Sequence, residues 1–311
     1  MKISVIIPTL NRPEDLTVAL ESLVRQTYPP AEIFIVDQSE DARTRQAVEA
    51  IQAKHPSQAS SFLYIYKKEK RGAWARNEGM DRMTGELVSF LDDDSELCDD
   101  YYEKVVGYFE KNPSWGGIGG SLIQEDMMKG MKSAFRSFLW RLFLISKRDG
   151  LMTASGFGYP IYERAIHQAV RVEMLHGCNM NFRTSVVGKD RFDEWFVGYS
   201  FREDAEFSYR LSRKAELWMV PDARLHHWES PSSRMDVDRL KRMEIRNYHF
   251  VFKKHKEKGR FSRFLFFYSL GGLLLIDLME VLSRRNGSKT KKFKAGLSEA
   301  ISLLKAKKTA A

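Results

Sequence analysis

Leu87-Val88-Ser89-Phe90-Leu91-Asp92-Asp93-Asp94-Ser95 is the stretch on which the reading of this chain turns. Five apolar or small residues have the length of a buried strand. Three acids directly behind them bring several hard oxygen ligands to the strand's C-terminal edge, where open α/β sheets bind their ligands. That placement suits a divalent cation and a diphosphate. The competing reading is a helix cap, with Asp94-Ser95 preceding a helix that begins near Asp99-Asp100. One acid would suffice for a cap.

Outward from the triplet, the same grammar repeats. Residues 3–7 are β-branched and read as a central parallel strand, and Pro8-Thr9-Leu10-Asn11-Arg12 forms the turn after it. Leu16, Ala19, Leu20, Leu23 and Val24 fall at helical spacing, and Pro29-Pro30 stops that helix. Strand 32–37 again ends in a carboxylate, Asp37. Helix 42–53, strand 62–66, helix 73–82 and strand 87–91 follow. This βαβα alternation predicts an α/β fold with a mostly parallel, Rossmann-like sheet and helices on both faces. Past residue 115 the rhythm changes at Gly116-Gly117-Ile118-Gly119-Gly120.

A chain of 311 residues with 43% apolar content holds one large domain, or one domain and an appendage. Cys98 and Cys178 form no CxxC pair, so neither a zinc ribbon nor a disulfide framework is indicated, and a reducing compartment is the simplest inference. The opening apolar run stops at Pro8, so it lacks a signal-peptide core, and a cytoplasmic location is expected. The net charge of +9 is unevenly spread. From Arg234 onward there are 20 Lys/Arg against 7 Asp/Glu, and before it 30 against 34. A cationic appendage on a near-neutral body faces an anionic partner, a membrane surface or nucleic acid.

Two segments carry apolar surface beyond the α/β pattern. Residues 129–148 place Phe135, Phe138, Leu139 and Leu142 at helical spacing among Arg136, Arg141, Lys147 and Arg148. This helix either docks on the protein's own core or lies in a membrane interface. Residues 263–282 are strongly apolar, but the uncharged core from Phe264 to Ile276 is too short to span a bilayer, and Asp277 and Glu280 interrupt its end. With cations on both flanks it reads as a peripheral segment on an anionic leaflet, with a packed hairpin helix as the alternative. The tail from about Gly287 is expected to be disordered.

Four motifs in order, Ser4-Val5-Ile6-Ile7-Pro8-Thr9-Leu10-Asn11-Arg12, Ile35-Val36-Asp37-Gln38-Ser39, Arg71-Gly72-Ala73-Trp74-Ala75-Arg76-Asn77-Glu78-Gly79 and Phe90-Leu91-Asp92-Asp93-Asp94, resemble the nucleotide-sugar half of family 2 glycosyltransferases with the GT-A fold. The resemblance covers roughly residues 1–230. It implies a GT-A domain at 1–233, with a nucleotide-sugar half at 1–115 and an acceptor half at 116–233, followed by a basic, apolar helical and membrane-associating region at 234–311.

For the donor, the resemblance implies contacts from Pro8, Thr9, Asn11, Arg12, Asp37, Arg71, Asn77, Asp92 and Asp93, with Asp37 accepting from a uracil-like N–H. A UDP- or dTDP-sugar is favoured. Asp94 and Asp92 are implied as ligands of Mn²⁺ or Mg²⁺, which suit hard carboxylates and neutralise a diphosphate leaving group. Gly177-Cys178-Asn179 resembles a cleft-lining segment, so Cys178, Asn179 and Trp228 are assigned to the acceptor. Phe201-Arg202-Glu203-Asp204 resembles the helix start that carries the general base, with Asp204 as base and Glu203 assisting. Isolated, such a pair would be read as compensating a helix dipole. Val220 to Trp228 resembles the family's closing strand. His227 is favoured as the metal histidine and His226 is the alternative, since neighbours on a strand point to opposite faces. Ser230, Ser232, Ser233 and Arg234 read as a loop able to close over the diphosphate.

The implied activity is an inverting, metal-dependent transfer of a sugar to a saccharide or lipid-linked acceptor, in cell-surface polysaccharide or glycolipid synthesis, at the inner face of the cell membrane. Two other classes compete with this reading. A nucleotidyltransferase acting on sugar phosphates should carry a glycine-rich loop after the first strand, and Pro8-Thr9-Leu10-Asn11-Arg12 has none. A non-catalytic basic binding module should carry a nucleic-acid signature, and the basic tail has none, so no nucleic-acid partner is expected. The sequence is silent on oligomeric state.

Overall fold

The computed structural model describes the chain except residues 69–71, 124–130, 148, 162–164, 229, 231–234, 284–286 and 307–311, and except the side chains of 131–133 and 306. The chain divides into two compact units, Met1–Met127 with Ile161–Arg234, and Met128–Pro160 with Met235–Ala311.

The first unit is built on β1 (Ile3–Thr9), α1 (Pro13–Val24), β2 (Glu32–Asp37), α2 (Arg43–Lys54), β3 (Phe62–Tyr66), α3 (Gly72–Met80) and β4 (Leu87–Leu91). β1 pairs in parallel with β2 and β4, and β2 with β3. β1, β2 and β4 are buried on both faces, the condition under which β-branched runs replace alternation, while β3 at the sheet edge exposes Leu63 and Tyr66. Ile7, Ile35, Leu16, Leu20 and Val48 share one core there.

The remaining strands turn the sheet mixed. They are β5 (Ser95–Leu97), β6 (Trp115–Leu122), β7 (Val170–Val172), β8 (Asn179–Arg183) and β9 (Glu216–His227), with helices α4 (Tyr101–Lys111), α6 (Thr184–Val187) and α7 (Glu203–Leu211). The sheet order is β3-β2-β1-β4-β8-β6-β9-β5, with β7 also on β9. β8 runs antiparallel to both β4 and β6, while β6 and β9 are parallel. The glycine-rich run is therefore strand β6. A Cβ on Gly117 would lie 2.6–2.7 Å from the side chains of Phe182 and Leu217, and one on Gly120 would lie 2.4 Å from the Ala223 carbonyl. Glycine here admits bulky neighbours from both flanking strands rather than making a turn.

The helix-cap reading of the triplet does not hold. Ser95 lies on β5 opposite His227, and its hydroxyl donates to the Cys178 carbonyl at 3.3 Å. The next helix begins at Tyr101 with Asp100 before it, and no side chain caps it.

The second unit comprises α5 (Met131–Leu142), α8 (Val237–His255), α9 (Arg260–Ser283) and α10 (Gly287–Ala306). Residues 128–160, assigned above to the acceptor half, fold with the C-terminal region because Ile145 and Phe157 share a core with Ile245, Tyr248, Phe252, Phe266 and Leu270. The described part of the tail, Gly287–Ala306, is helical and not disordered. Ala295, Gly296 and Ala300 give α10 a buried small-residue face, and Glu299 there accepts from Arg246 at 2.6 Å. α9 runs unbroken for 24 residues and is the one described helix long and apolar enough to cross a membrane. Asp277 does not interrupt it, because its carboxylate is buried against Lys241 at 2.8 Å and Lys292 at 2.9 Å.

Glu32 pins the start of β2 to the strands beside it. Its carboxylate accepts from Ser4 Oγ at 2.5 Å, from the Thr84 N–H at 2.9 Å and from Lys2 Nζ at 2.9 Å, and also from the Thr84 hydroxyl. Partial burial raises its pKa, but these bonds outweigh that and hold it at about 2. A depressed folded-state pKa gives stabilisation that is complete above the unfolded value and is lost as pH falls toward 2. We expect Glu32→Gln to cost about 1–2 kcal/mol at pH 7, after discounting for solvent screening. Urea denaturation should show the gap between the two proteins closing as pH falls from about 4.5 toward 2.

Candidate functional site

The ends of β1, β2 and β4 and the last residues of β9 bring the polar residues of the first unit together. Thr9 lies opposite Asp37 in the β1–β2 register, and the turn after β1 carries Asn11 at φ 57°. The Asn11 N–H donates to Ser39 Oγ at 2.7 Å, and its side-chain oxygen accepts from the Glu40 N–H at 3.0 Å. Asn11 thus ties the first loop to the second.

Each acid of the triplet has a different environment. Asp93 is buried and accepts from Thr9 Oγ1 at 2.8 Å and from Arg12 Nη1 at 3.1 Å. Burial pushes its pKa up to about 7, against the pull of Arg12 and with the push of Asp94. Asp94 is buried too, which raises its pKa, but the His227 bond, the His227 charge and the Ser230 N–H outweigh that and hold it low. His227 Nε2 lies 3.0 Å from Asp94 Oδ1, and the Ser230 N–H is 3.0 Å from Oδ2. Asp92 is the most open of the three, with its Oδ1 accepting from Arg76 Nη2 at 2.7 Å.

One ligand atom each from Asp92, Asp94 and His227 lie within 4.8 Å of one another. Two carboxylates and an imidazole are donors that magnesium and manganese accept. A hydrogen on His227 Nε2 accounts for its 3.0 Å contact with Asp94, and the same three donors fit a divalent ion. His226 points elsewhere, stacked on Trp228 at 5.3 Å and paired in register with Glu96.

Glu203 and Asp204 open α7. Asp204 is held by two backbone donors, Gly177 N–H to Oδ2 at 2.8 Å and Ala205 N–H to Oδ1 at 2.7 Å. Burial raises its pKa, partly offset by those donors and by Arg202 and Arg76. Glu203 is buried, which pushes its pKa up to about 8 despite the adjacent Arg76. The entrance to α7 is a tight turn with Ser200 at φ 52° and Arg202 at φ 74°, left-handed conformations uncommon outside glycine. Ser200 Oγ stabilises the turn by donating to the Phe196 carbonyl at 3.1 Å.

Arg76 was not singled out from the sequence. Its guanidinium lies buried between Asp92 and Glu203 and donates to both. The available signal was its company: Ala73, Ala75 and Gly79 are small residues of a short helix, as expected of one that packs closely and is buried. Tyr64 was missed as well. Its hydroxyl donates to Asp37 Oδ2 at 2.5 Å, and the Ser39 N–H donates to Oδ1 at 2.8 Å.

Several expected contact residues are committed internally. Asp37 is 0% exposed, so a nucleobase reaches it only if Tyr64 yields. The Asn77 amide exchanges two bonds with the backbone of Phe192, at 3.0 and 2.8 Å, and so fixes the loop before α7. Asn179 accepts from the Gly120 N–H at 2.7 Å, and Cys178 Sγ lies 3.0 Å from His176 Nδ1; both residues are buried. Trp228 is exposed, and Pro8 is partly exposed at the end of β1. Arg71, Ser232, Ser233 and Arg234 lie outside the described residues.

Comparison with known proteins gives these observations a context. The family model described as Glycosyl transferase family 2 matches residues 4–170, more than half of the chain. Among curated proteins, the chain is 30% identical to the GalNAc(5)-diNAcBac-PP-undecaprenol beta-1,3-glucosyltransferase of Campylobacter jejuni, over 68% of this chain and 66% of that protein. It is 31% identical to the amylovoran biosynthesis glycosyltransferase AmsB of Erwinia amylovora, over 68% and 63%. It is 25% identical to the glucosyl-dolichyl phosphate glucuronosyltransferase of Haloferax volcanii, over 60% and 54%. The chain thus spans between about half and two thirds of the length of these relatives.

Among solved structures, the mannosyltransferase PcManGT from Pyrobaculum calidifontis, in complex with GDP-Man and Mn²⁺, superposes with a TM-score of 0.61 at 16% identity, covering 97% of this chain and 87% of that one. S. aureus TarS 1-349 in complex with UDP gives 0.53 at 18%, covering 98% and 92%. At these identities the likeness is one of fold, the GT-A fold expected above.

Removing Arg76 strands the buried Glu203 carboxyl and leaves the partly exposed Asp92 without its partner, and breaking a buried pair in this way typically costs about 3–5 kcal/mol. We expect Arg76→Met to lower unfolding free energy by roughly that much, and Arg76→Met with Glu203→Gln to recover more than half of the loss. Additive losses in a denaturation cycle would contradict the coupling.

Proposed function

The chain belongs to glycosyl transferase family 2, and on that premise we propose that it is an inverting, metal-dependent enzyme moving a sugar from a nucleoside diphosphate donor to the hydroxyl of a lipid-linked acceptor. The observation that carries this reading is the meeting of Asp92, Asp94 and His227 ligand atoms within 4.8 Å, with Arg76 linking Asp92 to the start of α7. A nucleotidyltransferase or a non-catalytic basic module accounts for neither the family match nor Asp204.

In this reading Asp94, Asp92 and His227 hold Mg²⁺ or Mn²⁺, which when bound neutralises the diphosphate of the donor. Arg12, beside Asp93 and Asp94, adds a fixed positive charge. Thr9 and Asp37 line the nucleoside side. A UDP- or dTDP-sugar is the proposed donor, because the Asp37 carboxylate accepts from a ring N–H once Tyr64 turns aside.

Asp204 is the proposed base. The acceptor hydroxyl gives its proton to a carboxylate oxygen of Asp204, and the acceptor oxygen bonds to the anomeric carbon. The bond from that carbon to the diphosphate oxygen breaks on the opposite face, which inverts the centre. The Gly177 and Ala205 N–H groups fix the plane of the carboxylate, and burial raises its affinity for the proton. Glu203, held neutral or shared with Arg76, positions the helix end and does not take this proton.

The acceptor class is supported by the names of relatives that act on undecaprenol- and dolichol-linked substrates, and cell-surface polysaccharide or glycolipid synthesis is the proposed setting. A carrier lipid accounts for a basic second unit and for work at the inner face of the cell membrane.

We expect Asp204→Asn to lower transfer by about 10²–10⁴-fold. Nucleoside diphosphate affinity should stay within a few-fold of the parent; near-normal transfer would remove Asp204 from the role. Nucleoside diphosphate release from a panel of donors should collapse on chelation and return with Mn²⁺, and Asp94→Ala should abolish the metal response. Release that ignores the chelator would overturn the metal assignment.

A further inference from the structure

The second unit divides its charges and its apolar surface in a way that the C-terminal sequence alone does not reveal. Counted by unit, residues 128–160 and 235–311 carry 25 Lys/Arg against 8 Asp/Glu, while the rest of the chain carries 25 against 33. The cationic body thus includes the segment around α5, and its net charge is +17 against −8 for the first unit. Its acids are largely spent inside. Glu244 and Asp277 face Lys241, Glu299 faces Arg246, and Glu257 faces Arg263. The outer surface is correspondingly positive, with Arg141, Lys147, Lys253, Lys254, Lys258 and Arg260 exposed.

The same unit exposes large apolar side chains in register. On α5, Phe135, Phe138 and Leu142 lie at i, i+3 and i+7 and are 52%, 59% and 47% exposed. Leu139, at the flank of this stripe, and Trp140, on the far side of the helix, pack on the unit's own core. Near the start of α9, Phe261 and Phe264 are 74% and 62% exposed. Tyr268 joins the two stripes, with its hydroxyl donating to the Leu142 carbonyl at 3.0 Å and its ring stacked 6.2 Å from Phe264. Phe143 fills the space over Gly272 and lies 5.4 Å from Tyr268, which locks the helices together. Contiguous aromatic surface of this kind on a water-soluble face marks an interaction site. A rim of cations selects an anionic bilayer, because long basic side chains reach lipid phosphates while the rings enter the acyl boundary.

We propose that α5 and the N-terminal end of α9 form a two-helix wedge that inserts Phe135, Phe138, Leu142, Phe261 and Phe264 into the boundary of an anionic leaflet, with Arg141 and Arg260 at the phosphates. This deepens the membrane-facing reading above and rests on it. It differs from a C-terminal anchor in that half of the wedge comes from the middle of the chain, and α9 lies against the leaflet without crossing it.

The test is flotation of the full chain with vesicles of phosphatidylcholine alone or with phosphatidylglycerol. The wedge predicts binding only to the anionic vesicles, and at least a ten-fold lower partition coefficient for the triple variant Phe135→Ser, Phe138→Ser, Phe264→Ser. A thermal melt checks that the variant folds. Independently, Phe138→Trp should gain emission that acyl-brominated lipid quenches, a readout that a misfolded triple variant cannot supply. Equal binding by the triple variant, equal binding to neutral vesicles, or no quenching in Phe138→Trp overturns the proposal. So does a dimer in sedimentation that the triple variant abolishes without any vesicle binding, since the patch would then join two copies. Donor cleavage by the triple variant is measured in parallel without lipid: unchanged cleavage with lost flotation supports the wedge, while lost cleavage with retained flotation counts against it. The parent's own cleavage reports on the catalytic reading separately.

Discussion

A buried guanidinium between two carboxylates is the constraint around which the first unit is organised. Arg76 donates to Asp92 at the end of β4 and to Glu203 at the start of α7. Charges this deep persist only when paired, and the pair is useful because it fixes distance and direction together. α3 carries the arginine, β4 carries one acid and α7 the other, so three elements remote in sequence share one electrostatic centre. Asp204 inherits its position from that centre and from the Gly177 N–H ahead of β8.

The mixed sheet serves the same end. A purely parallel arrangement would bring loop after loop to one edge, each by way of its own crossover. Here β8 runs antiparallel between β4 and β6, so its N-terminal end, with Gly177 just before it, lies at the edge where β4 ends in Asp92. β9 then carries His227 to Asp94 from a strand that runs parallel to β6 but antiparallel to β5. The glycines of β6 are the packing condition for this arrangement, since bulky residues of β8 and β9 occupy the volume their side chains would need.

Much of this was legible in the chain before any coordinates. β1 to β4 announce themselves as apolar runs, three of which lead into polar or acidic residues, and that pattern is local. The triplet and Asp37 stand out by their position at strand ends, whereas Glu203, Asp204 and His227 were picked out by the resemblance of their segments to family motifs. What was hidden depends on partners. An arginine in a short helix looks solvated until Asp92, Glu203 and the Phe192 ring are seen around it. Strand β6 has a single β-branched residue, Ile118, among four glycines because its neighbours supply the bulk. α10 reads as a polar tail, with 7 Lys and no aromatic but Phe293 in the sequence from Gly287 to the end, and its helix is explained by the small face it buries. Asp37 was correctly noticed as a strand-end acid, yet its complete burial under Tyr64 is a cross-strand fact that spacing does not carry.

The turn at Ser200 and Arg202 has a consequence for how this enzyme can diversify. Two non-glycine residues in left-handed conformations hold conformational energy, of order 1–3 kcal/mol each, that the surrounding hydrogen bonds must offset. The direction of α7 is thus set by the backbone, through Ser200 and the Phe192–Asn77 clamp, and not by the exposed side chains of Trp195, Val197 and Tyr199 that lie between them. Tyr199 still acts electrostatically on Arg12, so the loop is not independent of the acids that arginine holds. Diversification is therefore most constrained at Ser200 and Arg202, where a change of backbone would turn both acids of α7 at once.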